Sequence, residues 1–123
     1  MEIVSVRGIP TLNTTPLAEI RVKNFRITVI VDDVSEKRFE LVFDTYQAMR
    51  LITADCYLVA ENINLPARTV VEVLDSSWIM ELKRNLKEID ETADFLERSR
   101  HFILPLQDNF LEVVAWNLEM TSS

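Results

Sequence analysis

The chain predicts an α+β fold: one mainly antiparallel, twisted β-sheet, a single principal helix packed on it, and a C-terminal β-hairpin. Three observations carry this reading. Apolar and polar residues alternate along 19–31 and again along 38–43, with a turn-forming segment between them. Apolar residues at helical spacings of three, four and seven begin at Trp78 and run to Leu96. Alternation then returns on both sides of "QDNF", residues 107–110.

Taken in order, residues 3–6 form a short strand candidate, and "GIPTLNTTP" after them is a loop, because its Gly, prolines, Asn and threonines favour turns. In "AEIRVKNFRITVIVDD", Ile20 and Val22 occupy even positions whereas Phe25, Ile27, Val29 and Val31 occupy odd ones. Strand side chains alternate faces with a period of two, so this change of parity at Lys23 and Asn24 predicts a β-bulge or a bend. Residues 32–37 supply a turn, and Phe39, Leu41 and Phe43 resume the alternation as the second strand of an antiparallel hairpin.

Residues 46–60 fit either a helical stripe (Met49, Ile52, Cys56, Val59) or a strand, with strand the preferred reading for 46–53. Residues 62–66 read as a loop and "RTVVEVL" as a β-branched strand. Asp75, Ser76 and Ser77 are residue types that cap helices. The helix they open is expected over about 76–97, with Trp78, Leu82, Leu86, Ile89, Ala93 and Leu96 on its apolar side and an interruption near Asp90. Its opposite side carries charges of both signs and should be solvated.

In the C-terminal hairpin the expected register sets Leu106 opposite Leu111, Leu104 opposite Val113 and Phe102 opposite Ala115, which makes one face wholly apolar. A four-residue loop over 107–110 keeps Pro105 at a non-hydrogen-bonded site, since proline has no N–H to give to a ladder. Its nitrogen then points outward, and the strand 101–106 is expected to be a sheet edge there. On the other face His101 sits across from Trp116. Glu112 lies about four positions along the ribbon, roughly 13 Å at the usual strand rise, too far for a direct hydrogen bond to His101. His101 therefore reads as a packed core histidine.

The composition sets bounds. With 123 residues, 48% hydrophobic and 27% charged, the chain suits a single globular domain over 1–123. Its single cysteine forms no internal disulfide, and its first residues lack the pattern of an export signal, so a cytoplasmic location is expected. No apolar run approaches the roughly 18 residues that span a bilayer, so no membrane is expected. A net charge of −7 disfavours nucleic acid, which needs clustered Lys and Arg, and suits a basic protein partner or plain solubility. The single glycine, Gly8, excludes glycine-rich nucleotide loops.

Little in the sequence gathers reactive groups. Cys56, beside Asp55 and Tyr57, reads as a buried structural thiol, and Asp32-Asp33 as a turn signature. One His, one Cys and scattered acids give no metal-ligand spacing, and no cofactor motif is present, so no catalytic, metal or cofactor site is assigned. Arg50, amid apolar residues in "AMRLIT", calls for a carboxylate partner. Arg50, His101, Glu112 and Trp116 are the candidate ligand or partner contacts.

"VEVLDSSWIMEL" (71–82) with "RHFILPLQDNFLEVVAWNLEM" (100–120) resembles a group of small bacterial proteins without assigned activity, some similar to immunity proteins of toxin systems. The matching positions are Ser77, Trp78, His101, Phe102, Asp108, Glu112, Val113 and Ala115, across roughly the last 50 residues. This chain departs in Pro105 and in the acid-rich segment after Ile89. The resemblance implies partner binding and no catalytic residue. The expected function is thus a non-enzymatic, immunity- or inhibitor-like protein-binding module. The alternatives are a cofactor-independent ligand pocket or enzyme near Arg50, His101 and Trp116, and a homodimer formed through an edge strand.

Overall fold

A computed structural model describes residues 2–57 and 65–122. Among these, seven strands make one antiparallel sheet: β1 (Glu2–Ser5), β2 (Glu19–Lys23), β3 (Arg26–Asp32), β4 (Arg38–Thr53), β5 (Val71–Leu74), β6 (Arg100–Pro105) and β7 (Asn109–Ser122). Their spatial order is β1-β5-β6-β7-β4-β3-β2. The two long strands, β4 and β7, pair along most of their lengths at the centre, and one helix, α1 (Ser77–Ile89), follows β5. The fold is α+β and mainly sheet, and no described helix is long and apolar enough to cross a membrane.

The alternating residues go where their period sends them. Ile27, Val29 and Val31 of β3 and Phe39, Leu41 and Phe43 of β4 are buried together with Phe102, Leu104, Leu111, Val113 and Ala115 of the C-terminal hairpin. Leu12 and Val70 close this core from outside the strands. Each large side chain so buried contributes about 1.5–3 kcal/mol. A second, smaller cluster of Tyr57, Val71, Val73 and Ile103 lies on the opposite face of the sheet.

Several expectations are corrected. The parity change at Lys23 and Asn24 is a full reversal, neither bulge nor bend: Lys23 pairs with Arg26, and Asn24 takes the positive φ of 56° that its short polar side chain tolerates. The bulge falls instead in β4, between Tyr46 and Ala48, beside Thr45 at φ 53°. The 46–53 segment is strand, the continuation of β4, but Cys56 sits exposed on a 3-10 turn (Ala54–Cys56) and is no buried thiol. The later part of the 46–60 ambiguity and most of the 62–66 loop lie outside the described residues.

The helix is shorter than the expected 76–97. It stops at Ile89 because Asp90 turns its carboxylate onto the Thr92 N–H and hydroxyl, at 3.1 and 2.8 Å, a local arrangement that competes with helical bonding. A separate 3-10 turn, Phe95–Arg98, follows and buries Leu96. Of the apolar stripe, Trp78, Leu82 and Leu86 are half-buried, whereas Ile89 is 85% exposed.

The C-terminal hairpin is tighter than expected by two residues. Leu104 faces Leu111, Phe102 faces Val113, and His101 faces Val114 in place of Trp116. The Leu106 N–H donates to the Asn109 carbonyl at 2.8 Å, so the loop is Gln107-Asp108. β6 is an interior strand, but its ladder with β5 ends at Ile103, before Pro105.

Candidate functional site

The two-residue change of register decides the chemistry of the hairpin's second face. Glu112 pairs with Ile103 and His101 with Val114, so Glu112 is the diagonal neighbour of His101, within reach of a long side chain. The His101 Nε2 and Glu112 Oε1 stand 2.5 Å apart, which overturns the expectation that the two were too distant to bond. Across the β4–β7 ladder, Arg50 faces Glu112 directly. Its Nε and Nη2 donate to the two carboxylate oxygens at 3.0 and 3.2 Å, a forked pair that supplies the partner its apolar surroundings called for.

The other ring nitrogen meets the start of α1. Asp75, at φ 54°, turns the chain sharply from β5 into the helix and brings Ser76 beneath the His101 ring. Ser76 Oγ lies 2.7 Å from His101 Nδ1 and accepts the Ile79 N–H at 3.1 Å as the helix N-cap. Nε2–H donates to Glu112, and the second bond closes either way, with the Ser76 hydroxyl donating to a bare Nδ1 of the neutral ring or Nδ1–H of the charged ring donating to Ser76 Oγ. Trp78, two residues into the turn, sets its indole edge-on to His101 with ring centres 5.3 Å apart, and holds the Arg50 guanidinium 4.0 Å above its own ring.

Burial alone would push the Glu112 carboxyl up. The hydrogen bonds from His101 and Arg50, with their charges, outweigh it and hold its pKa below the ordinary carboxylate value. The Tyr57 hydroxyl is directed at the same carboxylate, and its pKa is raised, first by burial, then by that negative charge and by the hydroxyl's approach to Glu112. That hydroxyl is the one buried side-chain polar atom, among the described residues, outside hydrogen-bonding geometry with any partner.

Three of the four candidate contacts, Arg50, His101 and Glu112, are thus brought together, and Trp116 is not among them. Its Nε1–H donates to the Phe95 carbonyl at 2.9 Å, and Arg98 stacks on its ring at 3.8 Å. The sequence reading missed Ser76, Trp78 and Tyr57 as members of the cluster. Ser76 was legible as a cap, but the destination of its hydroxyl depends on a contact between residues 25 apart in the chain. The resemblance pointed to Ser77, which is exposed, rather than to its neighbour.

Serine, histidine and glutamate in this order are the parts of an activated nucleophile. Here they are largely covered: Ser76, His101 and Glu112 are 6%, 3% and 0% exposed, and Ser76 reaches the lining of a surface cavity, shared with Glu72, Lys83 and Arg100. The serine oxygen is also committed to the helix cap. Among the described residues no group of three or more His, Cys, Asp or Glu side chains is placed to hold a metal ion. The cluster's evident work is structural, tying the first turn of α1 to β4, β6 and β7. Comparison with protein-family models, with curated proteins and with solved structures gives no match to this chain.

Proposed function

We propose that this chain is a non-enzymatic protein-binding module of the immunity or inhibitor type, which docks a basic partner protein in the cytoplasm. The supporting observation is the end of α1. Ile89 stands 85% exposed among Glu88, Asp90, Glu91, Asp94 and Glu97, and residues 88–97 contain no Lys or Arg. Phe95, 42% exposed, adds a second apolar group. Cations border the segment: Lys83 pairs with Glu97 at 3.3 Å, Lys87 donates to the Glu91 and Ala93 carbonyls, and Arg98 lies on Trp116, which leaves Glu88, Asp90, Glu91 and Asp94 in excess. An apolar anchor in a segment where acids outnumber bases suits a partner with a hydrophobic notch in a basic rim, because opposed charge raises the encounter rate while desolvated contacts slow dissociation. The exposed Cys56 thiol fits a reducing compartment.

The test begins with affinity capture from the source cell, identification of the bound protein and calorimetric titration of that protein after purification. The reading expects a basic partner whose affinity falls steeply with salt and drops at least about tenfold with Ile89→Lys combined with Glu91→Lys. A purified partner that binds both forms equally and ignores salt, or failure to find any partner, overturns it.

A further inference from the structure

The sheet ends at β2, and among the described residues no strand pairs with its outer edge. Its sequence, Glu19-Ile20-Arg21-Val22-Lys23, is self-complementary when laid antiparallel against itself. With a two-fold axis at Arg21, Glu19 of one copy faces Lys23 of the other, and Ile20 faces Val22, each relation occurring twice. We infer that a second copy of this chain adds to the free edge of β2 in this register, making one sheet that continues through both molecules.

The backbone supports the same register independently of the side chains. The Asn24-Phe25 loop has two residues, so its closing pair, Lys23 with Arg26, is a hydrogen-bonded one, and the alternation along β2 follows from it. Arg21 and Glu19 then turn their N–H and C=O groups toward β3, and Ile20 and Val22 turn theirs outward. In the two-fold register Ile20 and Val22 meet as hydrogen-bonded pairs, giving four main-chain bonds, and Arg21 lies at the axis as a non-bonded pair. Any shift by one residue sets inward-directed groups against outward-directed ones.

The side chains carry the rest. Val22 is 48% exposed although the buried Ile27 is its cross-strand partner, and Ile20 packs on the main core; a Val22 from a second copy laid beside Ile20 extends that core across the edge. Arg21 donates to Glu19 within its own strand at 3.1 Å, so the two guanidinium groups at the axis do not meet bare. One acid against two bases frees β2 from the acidity of the whole chain. Charged residues on an edge usually discourage pairing. Here their order favours a single partner, itself. The acidic segment 88–97 follows β5, at the far side of the sheet order, so this dimer and the proposed partner site stand or fall separately.

Sedimentation equilibrium tests the interface with the full chain. The mass should rise with concentration toward twice the 14.3 kDa of one copy. Glu19→Lys and Lys23→Glu each place like charges opposite one another and should weaken association about tenfold or more, and the double exchange should restore it. In a Cys56→Ser background, Arg21→Cys should form an interchain disulfide under air, because non-bonded antiparallel pairs hold their Cα atoms about 4.5 Å apart. A chain that stays monomeric to about millimolar concentration, or a dimer indifferent to both single exchanges, overturns the inference.

Discussion

Tyr57 shows how much one residue depends on what stands around it. Its ring stacks on Phe110 at 4.3 Å and is buried with Val71, Val73 and Ile103, yet its hydroxyl has no hydrogen-bond partner among the described residues. Burying an unpaired hydroxyl costs about 1–3 kcal/mol. Tyr57→Phe keeps the stacking and removes the cost. Chemical denaturation should therefore find that variant as stable as the parent or more so, by up to about 1 kcal/mol. A loss of stability would mean that the hydroxyl has a partner after all. Cys56, its neighbour, teaches the converse: a small apolar side chain in an apolar stretch of sequence still ends exposed, because the chain leaves β4 one turn earlier.

Among the elements, α1 gains its position from its first turn. Ser76 serves the helix and the sheet at once, through the Ile79 N–H and His101 Nδ1. Ser76→Ala removes a cap and leaves a buried imidazole nitrogen unpaired, a combined loss of about 2–4 kcal/mol in a denaturant titration. Ser76→Thr retains the hydroxyl and most of that stability. Since the serine is only 6% exposed and its oxygen caps the helix, a fluorophosphonate should leave it unmodified, as judged by intact mass; a stoichiometric adduct on Ser76 would point to nucleophilic chemistry. Helix and hairpins also show where turns come from in a chain with one glycine. Positive φ falls on Asn24 and Asp75, which their residue types foretell, but also on Leu17, Glu36, Thr45 and Arg68, which no local signal marks.

For the whole molecule, the Arg50–Glu112–His101–Ser76 chain joins β4, β7, β6 and the start of α1, so its protonation bears on global stability. The folded chain holds Glu112 ionised to lower pH than the unfolded chain does. The stability it contributes is present above the ordinary carboxyl pKa and is lost as pH falls through the lower folded value. The denaturation midpoint should therefore fall steadily below about pH 4. Glu112→Gln should be less stable near neutrality, by about 3 kcal/mol, and show a flatter acid limb. An acid limb of unchanged steepness in that variant would assign acid sensitivity to other carboxylates.

The class of fold, the strands β1, β3 and β5 to β7, the first half of β4 and the apolar face of the C-terminal hairpin are legible in the residues alone, because alternation and helical spacing are local and survive small errors of register. The sequence also marked Arg50, His101 and Glu112 as residues needing an explanation. That the three meet follows from strand pairing alone, since a shift of two residues leaves every hydrophobic residue on its proper face while carrying Glu112 from about four positions away to the diagonal of His101. The stop of α1 at Ile89 matches the interruption that Asp90 signals in the sequence, whereas the exposure of Ile89 and the separation of Trp116 from His101 were settled only by folding. They follow from competition between a local Asp90 turn, the cap at Ser76 and the packing of the Phe95–Arg98 turn, which involves residues the chain brings together only once folded.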